Sequence, residues 1–220
     1  MCFSASASFA AATGLLVVGT FTVRRVRRKS ELPYAAIPLL FGIQQFIEGA
    51  IWLSFRFDVP LLNPALTSAY SLFSHVLWPA CVPLAVLALE PVRWRRSVLS
   101  ALFVAGAAVG LYLLLNMLRF PIISREAGGH VEYVSPHFYA LVVMGAYLAG
   151  TCISGLFSSF GVVRLFGIGA SLSFLAAYAA YANWFISVWC FFAAVLSVIV
   201  LLHFTRRFYP SKEAPHGMAV

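Results

Sequence analysis

Seven apolar runs, at about 4–23, 34–55, 66–89, 97–118, 137–156, 160–181 and 184–204, follow one another along this chain with short polar breaks between them. At 1.5 Å per residue each is long enough to cross about 30 Å of hydrocarbon. Within a bilayer every backbone N–H and C=O must be satisfied by the protein itself, which leaves helices or closed barrels. The runs are continuously apolar and lack the in-out alternation of a lipid-embedded strand, so helices are the economical solution. Composition agrees, because 62% hydrophobic and 10% charged residues exceed what the surface of a soluble domain carries. The sequence predicts an all-α, polytopic transmembrane bundle of seven helices, one domain over 1–208 followed by a mobile tail over 209–220. Only Tyr181-Ala-Asn183 separates the last two runs, which predicts a tight antiparallel pair.

Basic residues set the orientation. Arg24, Arg25, Arg27, Arg28 and Lys29 follow run one, Arg93, Arg95 and Arg96 precede run four, Arg164 follows run five, and Arg206, Arg207 and Lys212 follow run seven. Twelve of the 15 Lys and Arg thus fall on one side, leaving Arg56, Arg119 and Arg125 for the other. The positive-inside tendency makes the first side cytoplasmic, with the N-terminus outside and the C-terminus inside. The net charge of +8 then needs no nucleic-acid partner; it is a topology signal with some attraction to anionic headgroups. The opening Met1–Phe9 lacks a charged n-region, so run one is expected to stay attached as a reverse-oriented anchor.

Glu48 is the one acid among seven that falls inside an apolar run; Glu31, Asp58, Glu90, Glu126, Glu132 and Glu213 lie at run ends or between runs, where water or headgroups can solvate them. A carboxylate at bilayer depth costs a few kcal/mol or more unless protonated, paired or bound to a cation, which makes it a functional-site candidate. Helical spacing puts Gln44, Glu48 and Trp52 on one stripe, with Gln45 on an adjoining line. Run three carries Ser71, His75, Trp78 and Pro79 on a comparable stripe, at a depth where His75 could meet Glu48. Cys2, Asn116, Asn183, Ser187, Cys190 and Trp189 reach similar levels from the same side. The expectation is an outward-facing polar pocket under an aromatic rim; Tyr181 and Trp184 read more simply as interface-belt residues.

Several chemistries fit such a pocket. Glu48 and His75, with Cys2 added, could ligate a divalent transition metal such as zinc. The plainer reading is a buried, hydrogen-bonded Glu48–His75 pair. With a metal-bound water and Glu48 as general base, a lipid-like substrate could be hydrolysed. As a third use, Glu48 could carry a proton or cation in a small transporter, with His75 handing the proton onward. The non-catalytic reading is a homo-oligomer or a subunit of a membrane complex, joined through lipid-facing small residues around Gly106, Gly110 and Gly167–Gly169. A retinal Schiff base is excluded, since Lys29 and Lys212 are the only lysines and neither lies in a run. No CxxCH occurs for haem attachment, and the four cysteines read mainly as small buried residues, a Cys2–Cys190 disulfide being conceivable because both lie toward the external side.

Ser71-xxx-His75, together with seven helices and an external N-terminus, resembles the alkaline ceramidase and progestin-receptor-like group of intramembrane zinc hydrolases. The chain departs from that group where it matters for zinc: no HxxxH occurs in Phe185–Phe204, and the carboxylate expected about eleven residues after the histidine falls on Val86. Over nearly its full length the chain resembles a family of uncharacterised prokaryotic seven-helix membrane proteins. That likeness rests on Met1-Cys-Phe-Ser-Ala5, Gln44-Gln45-Phe-Ile-Glu48-Gly-Ala-Ile-Trp52, His75-Val-Leu-Trp-Pro79 and Trp189-Cys-Phe-Phe192. It implies a seven-helix protein of the cytoplasmic (inner) membrane of a prokaryote, with Cys2, Glu48, His75 and Trp189 among the positions to test, and brings no activity with it.

Overall fold

The computed structural model describes residues 4–59, 61–181 and 184–206, together with the backbone alone at Pro136, Tyr139 and Arg206. In chain order its elements are α1 (Ala5–Arg24), α2 (Lys29–Arg56), α3 (Leu62–Leu89), α4 (Arg93–Arg119), strands β1 (Ile123–Ala127) and β2 (His130–Val134), then α5 (Leu141–Leu156), α6 (Gly161–Ala180) and α7 (Phe185–Thr205). All the helices except α5 are long and apolar enough to cross a membrane. Helix α5 is shorter than expected because Pro136–Tyr139 forms a separate 3-10 turn and Ala140 is extended, with φ −60° and ψ 128°. Six apolar helices of this length suggest a multi-pass membrane protein.

Helices α1 and α2 form a close antiparallel pair. A side chain at Gly19 would strike the Leu39 backbone, and one at Gly42 would meet Leu16. Near the turn between them the Thr22 hydroxyl donates to the carbonyls of Gly19 and Ala35 at 2.9 and 2.7 Å, so a buried hydroxyl closes the pair without a bare donor. Glu31 finishes the turn by accepting from the backbone N–H groups of Arg27 and Arg28.

Helix α3 is not regular. Its residues Leu72–Leu77 form a π-helical turn, as do Ala149–Ile153 of α5. Single π turns accommodate an extra residue and are frequent at functional sites. Just beyond the first, Pro83 can offer no N–H to the Pro79 carbonyl, and α4 and α5 close on that carbonyl through glycine. A Cβ at Gly106 would overlap the Pro79 oxygen, and one at Gly150 would lie 2.7 Å from it. Gly110 approaches the Val76 carbonyl, Gly167 packs on Gly155, and Gly169 faces Leu196. Gly106, Gly110, Gly167 and Gly169 are therefore helix–helix contacts inside the bundle, not the lipid-facing small residues expected; close backbone packing is what glycine permits there.

The loop from Arg119 to Pro136, expected as a polar connection, instead holds a β-hairpin. Its register pairs Ser124 with Tyr133 and Arg125 with Glu132, and Gly128 and Gly129 turn the chain with φ of +58° and +75°. Two consecutive positive φ values are what a two-residue hairpin turn requires, and glycine supplies them without steric cost. One face of the hairpin is buried on the bundle through Ser124, Val131 and Tyr133; the other carries Arg125 and Glu132, joined by two hydrogen bonds of 2.8 and 2.9 Å. Tyr133 stacks on Tyr70 of α3 at 4.5 Å, and His130 stacks on Trp184 at 4.6 Å.

Two apolar clusters fill the bundle. One lies under the hairpin around Ile51, Tyr70, Leu113, Phe138 and Phe185. The other lies toward the arginine-rich end around Leu15, Tyr34, Ile37, Val86, Leu99 and Phe166. At that end Arg24 and Arg27 share a cavity with Leu89, Phe160 and His203, so the loops α1–α2, α3–α4 and α5–α6 meet the end of α7 there. Glu90, expected in solvent, is 1% exposed. Its carboxylate accepts from the Ser159 N–H at 2.6 Å, the Ser159 hydroxyl and the Val92 N–H, clasping the α3–α4 turn to the α5–α6 turn.

Candidate functional site

Gln44, Gln45, Glu48 and Trp52 all lie on the buried face of α2, the first three with no exposure at all. The i, i+4, i+8 spacing that groups them in the sequence turns this stripe inward. Buried in an apolar bundle, each polar atom must find a partner or incur the desolvation cost of going without.

Glu48 finds donors from two helices. Its Oε1 accepts the Ser187 hydroxyl of α7 at 2.6 Å, and its Oε2 accepts the Gln45 amide at 3.3 Å. Gln44 Oε1 accepts the Trp78 indole N–H at 2.7 Å, linking α2 to α3, and the Trp78 ring stacks on Phe41 at 3.9 Å. The buried thiol of Cys190 lies near Tyr70, Gln44 and Glu48, and Tyr147 lies near Cys190 in turn. Cys190 is a free cysteine, and Cys2, with which a disulfide is conceivable, lies outside the described residues. Asn183 lies outside them too.

His75 does not meet Glu48. Its Nδ1 is 2.8 Å from the Ser74 hydroxyl and its Nε2 is 3.0 Å from the Ser135 hydroxyl, which arrives from the loop after β2. The Tyr147 hydroxyl donates to the Ser74 carbonyl, and Phe138 packs 5.0 Å from the imidazole. The expected Glu48–His75 hydrogen bond is thus replaced by two separate sets of partners. The cause is the π turn: each residue in a helix advances the face by about 100°, so an added one swings His75 toward the hairpin while Trp78 faces Gln44.

Ser71 is fully buried, and its hydroxyl has no partner among the described residues; Gln45 Oε1 and the Trp52 indole N–H are in the same position. A cavity of about 210 Å³ opens beside His75, lined also by Asn116, Ser135, His137, Leu113 and Phe120. Asn116 is half-buried there and donates to the Tyr112 carbonyl of its own helix at 2.8 Å. A smaller cavity, about 30 Å³, lies between Trp78, Tyr147, Trp189 and Cys190. Trp189 donates to the Ala170 carbonyl at 3.3 Å and packs against Tyr147 and Phe185, so it helps wall this centre from α6.

The structure therefore joins Gln45 with Glu48 and Gln44 with Trp78, and it gathers His75 with Asn116 around one cavity. Ser74, Ser135 and Tyr147 complete the His75 side and carried no sequence signal. A serine in a loop and a tyrosine in an apolar run look like ordinary surface and core residues. Among the described residues no group of three or more His, Cys, Asp or Glu side chains is placed to hold a metal ion. Glu48 and His75 would need ligands beyond these to complete such a shell.

The sequence model of DUF6629, a family of unknown function, matches residues 1–215, and the chain belongs to that family. No curated protein and no solved structure matches it.

Proposed function

We propose that this DUF6629 protein sits in the cytoplasmic (inner) membrane of a prokaryote, with its hairpin end outward and its arginine-rich end in the cytoplasm, and binds a small polar ligand around Glu48. The orientation rests on the bias of Lys and Arg toward one end. The observation that carries the ligand reading is the set of buried polar atoms on the inward faces of α2 and α3. Three of them, Gln45 Oε1, the Trp52 N–H and the Ser71 hydroxyl, have no partner among the described residues. Fully buried groups of this kind are normally satisfied, and a site offering both donors and acceptors suits a ligand with both. Trp78, which donates to Gln44, and Cys190, which lies near Glu48, both line the cavity of about 30 Å³, which points to a compact molecule.

Glu48 would anchor the ligand, Gln44, Gln45, Trp52 and Ser71 would orient it, and His75 with Asn116 would line its approach. Trp78 and Trp189 would shape the walls. A metal reading needs Cys2 to complete Glu48 and His75. Hydrolysis of a lipid-like substrate needs that metal in turn, and proton or cation transport needs a route on to the arginine-rich end.

Native mass spectrometry of the protein released from neutral detergent tests the proposal. A small molecule retained by the wild type and lost from Glu48→Gln and Ser187→Ala supports it. Proteins that retain nothing and show no Tm shift across a panel of compact polar compounds would remove it. Elemental analysis of the same samples reads the metal alternative: stoichiometric metal lost on both Glu48→Gln and His75→Ala would replace a hydrogen-bonded ligand with a metal centre.

A further inference from the structure

The arginine-rich end carries a cavity of about 660 Å³, and no role proposed above uses it. Its rim is Arg24, Arg25, Arg27 and Arg28 with Ser30; its inner wall is Leu89, Phe160, His203 and Phe204. A positive-inside bias explains why arginines lie at this end. It does not explain why four of them surround a hollow with their charges unspent.

Other arginines of the same end are engaged by the protein. Arg95 donates to the Ser159 hydroxyl at 3.0 Å, and Arg96 donates to the carbonyls of Leu87 and Glu90 at 3.2 and 3.0 Å. None of the four rim guanidinium groups has a hydrogen bond or ion pair among the described residues; Arg25 only lies over the Phe21 ring at 4.0 Å. The one acid at the rim among the described residues, Glu31, turns its Oε2 to the backbone N–H groups of Arg27 and Arg28 at 2.8 and 3.3 Å. It shapes the loop and leaves the guanidinium forks open.

Two polar groups, His203 in the inner wall and Tyr34 packed against it, also lack partners. His203 Nδ1 is buried with no partner among the described residues, and neither has the hydroxyl of the fully buried Tyr34. The Tyr34 ring meets the imidazole edge-on at 5.4 Å. Phe160 meets the same imidazole at 5.1 Å, holding it at the wall of the cavity.

We infer that this cavity binds a phosphate group, gripped by the forks of Arg24, Arg27 and Arg28, with the Ser30 hydroxyl and His203 available as further donors. Guanidinium forks match phosphate oxygens two at a time, and such charge-assisted bonds are about twice as strong as neutral ones. The phosphate comes either on a lipid headgroup, whose chains would run along Leu89 and Phe204, or on a soluble molecule. The shared chemistry is the phosphate, and the two sources separate experimentally.

Protein in neutral detergent is titrated in one arm with inorganic phosphate and in the other with micelles doped with phosphatidylglycerol, following Tm and the native mass. Saturation in the first arm identifies a soluble phosphate ligand; saturation in the second arm alone identifies a headgroup. Arg27→Gln/Arg28→Gln is expected to weaken the saturable response about tenfold, while Arg93→Gln/Arg164→Gln, equal in charge and outside the cavity, shifts it less than about threefold. If the Gln pair does not accumulate in the membrane, Arg27→Lys/Arg28→Lys keeps the insertion signal, loses the fork, and is expected to weaken binding about threefold. No saturation in either arm overturns the inference, and so does equal weakening by the cavity pair and the control pair, which would mean diffuse charge.

Discussion

The Ser187 hydroxyl donates to Glu48 Oε1 across 2.6 Å and so ties the first turn of α7 to α2, 139 residues apart in sequence. Both side chains are fully buried, so neither can exchange this bond for water without opening the bundle. Ser187→Ala is expected to cost about 1–3 kcal/mol, because it leaves a buried carboxylate oxygen short of a donor. Glu48→Gln keeps the shape and lowers the acceptor strength. A double-mutant cycle read by unfolding in detergent should give a coupling above about 1 kcal/mol; additivity within about 0.3 kcal/mol would mean the two side chains do not depend on each other.

Much of this site was legible in the sequence, and the reasons for the rest are physical. The burial of Gln44, Gln45 and Glu48 followed from helical spacing in an apolar run, and α2 behaves as a regular helix there. The partner of Glu48 did not follow, because depth from a run end locates a residue along the axis and leaves its azimuth to the regularity of the helix. The π turn at Leu72–Leu77 breaks that regularity and separates His75 from Trp78. The hairpin was hidden for another reason. Ile123-Ser-Arg-Glu-Ala127 and His130-Val-Glu-Tyr-Val134 are five residues each, too short for a firm alternation, and only Gly128-Gly129 hinted at a turn. Glu90 was misplaced because a residue at the end of a run can still be covered by a loop from elsewhere, here the one carrying Ser159.

Gly106 lets α4 approach the backbone of α3 at Pro79, just past the π turn. Gly106→Ala is expected to destabilise the protein by about 1–3 kcal/mol or more, since the added methyl overlaps the backbone oxygen of Pro79, which cannot move as a side chain could. Gly145→Ala is the matched control: nothing lies within 4 Å of its added carbon, and helix propensity alone should make it neutral or stabilising by up to about 1 kcal/mol. Unfolding midpoints of the two variants in detergent decide it. Equal effects would mean that the close approach at Gly106 is not what holds the helices.

Glu90 is expected to act as a clasp rather than a surface charge. Glu90→Ala removes the acceptor of the Ser159 and Val92 donors and should cost about 2–4 kcal/mol, with the backbone N–H of Ser159 left bare. Glu90→Gln retains one acceptor oxygen and should recover about half of that. Limited proteolysis at the α5–α6 turn provides the local readout, because loss of the clasp should open Phe157–Phe160 to cleavage before the bundle unfolds. Unchanged cleavage in Glu90→Ala would assign the clasp no role.

The hairpin should loosen on acidification in two separable stages. Burial against Trp184 pushes the His130 imidazole below its ordinary value of 6.5, and the hydrogen bond from Arg125 holds the Glu132 carboxyl below its ordinary 4.5. In both cases the unfolded hairpin takes up its proton at a higher pH than the docked one. Each contribution is therefore present above the ordinary value and lost as pH falls through the lowered one. The His130 stage begins below about pH 6.5 and the Glu132 stage below about pH 4.5, the second being small because its partner Arg125 is largely exposed to solvent. Amide exchange at Val131 and Tyr133, expressed as protection relative to the unfolded chain, measures the docking. His130→Phe keeps a ring on Trp184 without a titrating group, so it should remove the first stage and leave the second. A first stage that survives this substitution would place the proton elsewhere.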